Sequence, residues 1–128
     1  MHYRKKKTLE KYHEYQKIKE SEKSACDFCH EEPDNKKLSF EHWKIIKNIF
    51  PYDRIAEYHD LLIPKRHFRK ESEMTGEERE DLVFIKTQIL SKQKKYDCVW
   101  ENFPHVRSVE HYHVHLLFFK RSGIKGSP

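Results

Sequence analysis

Residues 111–117 read His-Tyr-His-Val-His-Leu-Leu, and no other stretch of the chain restricts the fold as tightly. In a strand, successive side chains point to opposite faces. His111, His113 and His115 therefore share one face, while Tyr112, Val114, Leu116 and Phe118 share the other, a good core face. Neighbouring histidines on that face have Cα atoms roughly 6.5–7 Å apart, from a rise of about 3.3 Å per residue. Three imidazoles backed by a buried apolar face make a rigid array of nucleophiles, acid–bases or metal ligands. Three surface histidines, or a metal site made of all three, are the competing readings of the same spacing.

The rest of the chain reads as strands around one main helix. Residues 1–24 form a polar helix or arm with Leu9, Tyr12, Tyr15 and Ile18 spaced by three. The thin stripe predicts a docking seam along one edge of the domain. Its basic start, Arg4, Lys5, Lys6 and Lys7, offers a nucleic-acid contact as the alternative. Cys26-Asp-Phe-Cys29 and a turn-rich stretch follow. The segment LSFEHWKIIKNIF then reads as one strand or two short ones. PYDRIAEYHD reads as a loop, and DLLIPKRHF as a strand that Pro64 terminates. Thr75-Gly76-Glu77-Glu78 is a capping box opening a helix. Leu82, Ile85, Ile89 and Leu90 form its apolar stripe, widened by Val83 and Phe84, and it ends near Lys94 or Lys95. YDCVWENF is a strand, PHVRS a loop, and VEHYHVHLLFFK a long strand. The expected class is α+β: an antiparallel meander sheet with one main helix and a long polar N-terminal helix.

With 36% hydrophobic against 37% charged residues the chain is unusually polar, but eight Phe, seven Tyr and two Trp suffice for one compact core. Its 128 residues are the size of a single domain. No apolar run approaches the ~20 residues that span a bilayer, and the charged N-terminus lacks the apolar centre of a secretory signal. Three cysteines make no disulfide framework, so Cys26 and Cys29 suit metal or redox work in a reducing, cytoplasmic setting. No strand-then-helix thioredoxin pattern flanks them. Cys98 reads as a small core residue. The net charge of +5 makes a phosphate-bearing partner plausible.

Several segments together resemble the histidine-triad (HIT) family of nucleotide hydrolases and transferases. They are HYHVHLL, Asn48-Ile49-Phe50-Pro51-Tyr52-Asp53, HDLLIPKRH and the early CDFC, in an order that covers roughly residues 26–120. The resemblance implies a HIT-like domain over 25–120, flanked by the 1–24 arm and a 121–128 tail. It implies His113 as the nucleophile on an α-phosphate, His115 at the leaving oxygen and Ser108 at a phosphate oxygen. Asn48 would meet the ribose, and Ile45, Ile46 and Phe50 the base. Arg107 stands where the family often has Gln, and a guanidinium there would bind phosphate as a planar fork. The zinc-bearing branch implies Cys26, Cys29, His67 and His111 as ligands of a structural zinc, with His59 or His30 as substitutes for His67 by spacing. Phosphoramidates or dinucleoside polyphosphates are the implied substrates, and a homodimer the implied assembly. The chain departs from the pattern where a Gly-rich loop is usual; here it has Asn102-Phe103-Pro104-His105-Val106-Arg107-Ser108. Tyr58 stands in place of a common glycine. The alternatives are a zinc-stabilised nucleic-acid-binding module without turnover, using the arm and KRHFRK, and aprataxin-like deadenylation of nucleic-acid ends.

Overall fold

The computed structural model describes residues 3–22, 26–29, 36–107 and 109–121. Helix α1 spans Lys6–Glu22 and helix α2 Gly76–Phe84; strands are β1 Lys36–Ser39, β2 Trp43–Lys47, β3 Ala56–Pro64, β4 Cys98–Trp100 and β5 Val114–Phe119. The strands form one antiparallel sheet in the order β1-β2-β3-β5-β4. This is the expected α+β class, with β1 to β3 as a meander and β5 inserted between β3 and β4.

Two strand boundaries differ from expectation, each for a backbone reason. AEYHD belongs to β3 and not to a loop: a turn closes on Tyr52 through Ala56 N–H at 2.9 Å, and pairing with Phe119 starts at Ala56. The histidine segment, by contrast, enters the ladder only at Val114, paired with Leu62. Continuing that register would place Tyr112 opposite Pro64, which has no N–H to give. Tyr112 N–H turns instead to the Phe68 carbonyl at 2.7 Å. His111 and His113 thus lie just before β5, in a segment buried on both sides.

The core lies between α2 and one face of the sheet. Leu82, Ile85 and Leu90 pack there with Trp43, Leu62, Val114 and Leu116. After Phe84 the helix widens into a π turn over Ile85–Leu90 before a last helical turn, Ser91–Gln93. A wider turn lets Ile85 and Leu90, five apart, both face inward. Val83 and Phe84 do not widen the buried stripe; they are 53% and 55% exposed.

On the far side of the sheet, α1 docks against the loop between β2 and β3. Tyr12 and Tyr15 rest on Phe50, with ring centroids 5.4 and 5.2 Å away. Asp53 accepts from Lys5 N–H at 2.6 Å and from the Thr8 hydroxyl at 2.5 Å, tying down the helix start. Partial burial raises the Asp53 pKa, but these hydrogen bonds outweigh it and hold the carboxyl below its ordinary value. Among the described residues no helix is long and apolar enough to cross a membrane.

Candidate active site and metal centre

Alternation along β3 and β5 sends His59 and His115 to the sheet face opposite α2. His113 Nδ1–H donates to the carbonyl of His111 at 2.9 Å. That bond fixes the tautomer and leaves Nε2 with a free lone pair. The next bonds run from the backbone inward. Tyr52 N–H donates to His59 Nδ1 at 3.0 Å, so the His59 proton sits on Nε2. His59 Nε2–H then donates to His115 Nδ1 at 2.8 Å, which leaves His115 carrying its proton on Nε2. The His113 and His115 rings lie 5.0 Å apart, nearly edge to face. One therefore offers a lone pair and its neighbour an N–H. Burial lowers the pKa of all three, aided by neighbouring charge: His59 to about 3, His115 to about 2, and His113 below its ordinary value against the pull of the His111 carbonyl. Neutral imidazoles are what a nitrogen nucleophile requires.

A cavity of about 460 Å³ opens over these rings, within the size range of small-ligand sites. Asn48, Ile46, Phe50 and Arg107, the residues that the family resemblance assigns to the nucleotide, all line it. Ile45 does not; it is buried in the core on the α2 side. Asn48 Oδ1 accepts from Phe50 N–H at 2.9 Å, and its amide nitrogen sits 3.3–3.4 Å from both nitrogens of His59. Arg107 donates from Nη2 to the Arg69 carbonyl at 2.5 Å, while its buried Nε and Nη1 have no partner among the described residues. Ser108 lies outside the described residues.

The second cluster sits beside the first. Nδ1 of His111 is 3.0 Å from Nδ1 of His67, 3.4 Å from Cys26 Sγ and 3.5 Å from Cys29 Sγ. Cys29 Sγ is 3.3 Å from His67 Nδ1, and all four donor atoms lie within 4.8 Å of one another. Tetrahedral zinc, at about 2.3 Å from sulfur and 2.0–2.1 Å from nitrogen, sets its ligand atoms about 3.3–3.8 Å apart. The donor set fits. His111 Nε2 faces the Pro64 carbonyl at 2.9 Å, so its proton belongs there and Nδ1 is free to ligate. Burial pushes the His111 pKa down to about 4, which keeps it in the ligand form. Among the described residues His67 is the histidine that stands with the two cysteines and His111; His59 is hydrogen-bonded to His115, and His30 lies outside the described residues.

Four contributors escape sequence reasoning. His59 acts through His115, a cross-strand relation that needs the register His59–Leu117 and Leu61–His115. Phe28, inside the Cys turn, sets its ring edge-on to both His111 and His113, at 5.8 and 5.3 Å. Arg4 and Tyr12 reach the cavity from α1 and the residues before it; the stripe of α1 signals docking, but not against what.

Comparison with known proteins agrees with this geometry. The HIT domain family matches residues 30–121. Among solved structures, a HIT family hydrolase from Clostridium thermocellum is 26% identical, covering 82% of this chain and 96% of that one, with a TM-score of 0.58. A histidine triad protein from Clostridium difficile is 25% identical over 75% of this chain and 90% of its own, at 0.57. A histidine triad nucleotide-binding protein from Candida albicans is 28% identical over 72% and 73%, at 0.56. By its matched domain and by the arrangement of its three histidines, the chain belongs to the HIT family.

Proposed function

We propose that this protein is a zinc-containing nucleotide hydrolase or transferase working through a covalent nucleotidyl-histidine. The observation that carries the reading is the His113 Nδ1–H bond to the His111 carbonyl, which aims an unprotonated Nε2 at the cavity. His113 Nε2 attacks the α-phosphorus in line; the N–P bond forms as the bond to the leaving group breaks with its electron pair. The ring becomes cationic, and its Nδ1–H bond to a carbonyl steadies that charge. His115 Nε2–H hydrogen-bonds a departing phosphate oxygen and keeps its proton, since a neutral imidazole that lost it would be an imidazolate; where an amine departs, its nitrogen takes a proton from solvent as the P–N bond breaks. Water or another acceptor then attacks phosphorus and frees His113. Arg107 suits the transferred phosphate, because its buried Nε and Nη1 have no partner among the described residues. Of the residues lining the cavity, Asn48 would meet the ribose and Ile46 and Phe50 the base, and the family resemblance gives a phosphate oxygen to Ser108, which lies outside the described residues. Dinucleoside polyphosphates and phosphoramidates are the substrate classes. The HIT hydrolase and nucleotide-binding relatives support this reading. It includes a structural zinc on Cys26, Cys29, His67 and His111, and a homodimer, which sedimentation equilibrium separates from the 15.8 kDa monomer.

Intact-mass spectrometry on rapidly quenched reactions tests the chemistry. A nucleotidyl adduct is expected in the parent and absent in His113→Gln, whose turnover falls by about 100-fold or more. An equal adduct in both proteins moves the nucleophile elsewhere.

A further inference from the structure

The HIT domain match begins at residue 30, yet Arg4, Tyr12 and Tyr15 line the same cavity as His113 and His115. This wall comes from outside the matched domain. The Arg4 guanidinium lies 4.1 Å from the Tyr12 ring centroid and 4.9 Å from that of Tyr52, and Nε donates to the Phe50 carbonyl at 2.7 Å. Tyr52 in turn stacks on His115, with centroids 5.2 Å apart. Arg4 is thus one ring removed from the histidine that faces the leaving atom. Among the described residues it makes no ion pair with a carboxylate; Asp53, in the same loop, is taken up by Lys5 and Thr8. A cation held by aromatic faces and one carbonyl, at the edge of a cavity, retains its N–H donors for an anion.

The two arginines stand on different parts of the cavity wall. Arg4 reaches toward His115 through the Tyr52 ring, whereas the Arg107 guanidinium lies 5.6 Å from the Tyr112 ring centroid. Arg4 is therefore the arginine on the side of the departing atom.

We propose that Arg4, held by Tyr12 and Tyr52, selects the leaving group by receiving a phosphate that it carries, so that the chain prefers nucleotides whose α-phosphate is joined through oxygen to a further phosphate. This rests on the reading of His113 as nucleophile. In the step, the His113 N–P bond forms and the P–O anhydride bond breaks, its electron pair staying on the departing phosphate. That phosphate is stable as an anion and needs no proton, which matches a His115 that supplies a hydrogen bond only. An amine leaving group carries no charge for Arg4 to meet.

Calorimetric titration with AMP and ADP tests Arg4 without requiring turnover, because the β-phosphate of ADP stands where the leaving phosphate would. In the full-length parent, ADP should bind about tenfold more tightly than AMP, and in Arg4→Ala that gap should shrink below about threefold, with Arg4→Lys between them. An unchanged gap in Arg4→Ala overturns the assignment. Turnover of diadenosine tetraphosphate, a 5′-adenylylated oligonucleotide and adenosine phosphoramidate is measured in parallel. Arg4→Ala should slow the two anhydrides by at least about tenfold more than the phosphoramidate, and the faster anhydride names the source of the phosphate. Equal slowing of all three also overturns it. Absence of a His113 adduct sinks the mechanism alone, since the binding gap still decides Arg4.

Discussion

In the proposed mechanism His59 makes no bond to phosphorus, yet a single backbone N–H sets the protonation pattern of the pair it forms with His115. Tyr52 N–H fixes His59, and His59 fixes His115. His59→Phe removes the donor, freeing His115 to adopt the other tautomer. We expect kcat to fall roughly 10–100-fold with KM moving less than about threefold, read from steady-state kinetics; a loss confined to KM would make His59 part of the binding surface instead. The same burial has a consequence for stability. The folded-state pKa of His59 is depressed to about 3, below its unfolded value of about 6.5. The unfolded chain therefore binds the proton first as pH falls. The contribution is full above about pH 6.5 and declines toward pH 3, amounting to about 2 kcal/mol of loss between pH 7.5 and 5 for a group this buried. Urea midpoints should drop over that interval in the parent and drop less in His59→Gln; parallel curves would mean that His59 does not carry the effect. None of this was legible in the sequence, where His59 was one histidine among ten and a substitute metal ligand.

At the scale of elements, legibility tracked how local the cause was. The capping box is legible because its two end residues satisfy one another: Thr75 Oγ1 accepts from Glu78 N–H at 3.1 Å, and the Glu78 carboxylate accepts from Thr75 N–H at 2.8 Å. Thr75→Ala should cost about 1 kcal/mol in chemical denaturation. The turn that ends β3 was likewise written in Pro64. The π turn was not, because it answers to packing: Ile85 and Leu90 must both reach the sheet. Local hydroxyls follow suit, with Thr87 donating to the Val83 carbonyl at 2.8 Å and Ser91 to that of Thr87 at 2.7 Å. The helix then closes at Lys94, which takes a left-handed conformation with φ of 55°. Glycine accepts that conformation without a Cβ penalty. Lys94→Gly should therefore stabilise the fold by about 0.5–1 kcal/mol, the gain in the folded state exceeding the greater freedom of the unfolded chain. A lower urea midpoint in this variant would show that the lysine side chain contributes more than its backbone costs.

Across the whole molecule, the Cys/His cluster and the proposed nucleophile are joined through one residue. The His111 side chain points into the cluster and is held from behind by Pro64, while its carbonyl holds the His113 ring. Phe28, carried between the two cysteines, touches both rings. The cluster thus ties the short Cys turn to the end of β3 and to the segment before β5, three places that the sheet ladder does not connect. Its four residues were readable only as a set implied by resemblance, since nothing in a Cys-x-x-Cys spacing says that residues 67 and 111 converge on it. The two functions of His111 make a joint prediction. Cys26→Ala/Cys29→Ala should lose stoichiometric zinc and lower Tm by about 10 °C or more, since structural zinc contributes directly to folding in chains with small apolar cores. At a temperature where the variant remains folded by circular dichroism, kcat should fall as well, because His111 then swings free and its carbonyl no longer fixes His113. A variant that loses zinc and thermal stability yet keeps the parent kcat would show that the Pro64 bond alone anchors His111, and that stability and catalysis part company at that residue.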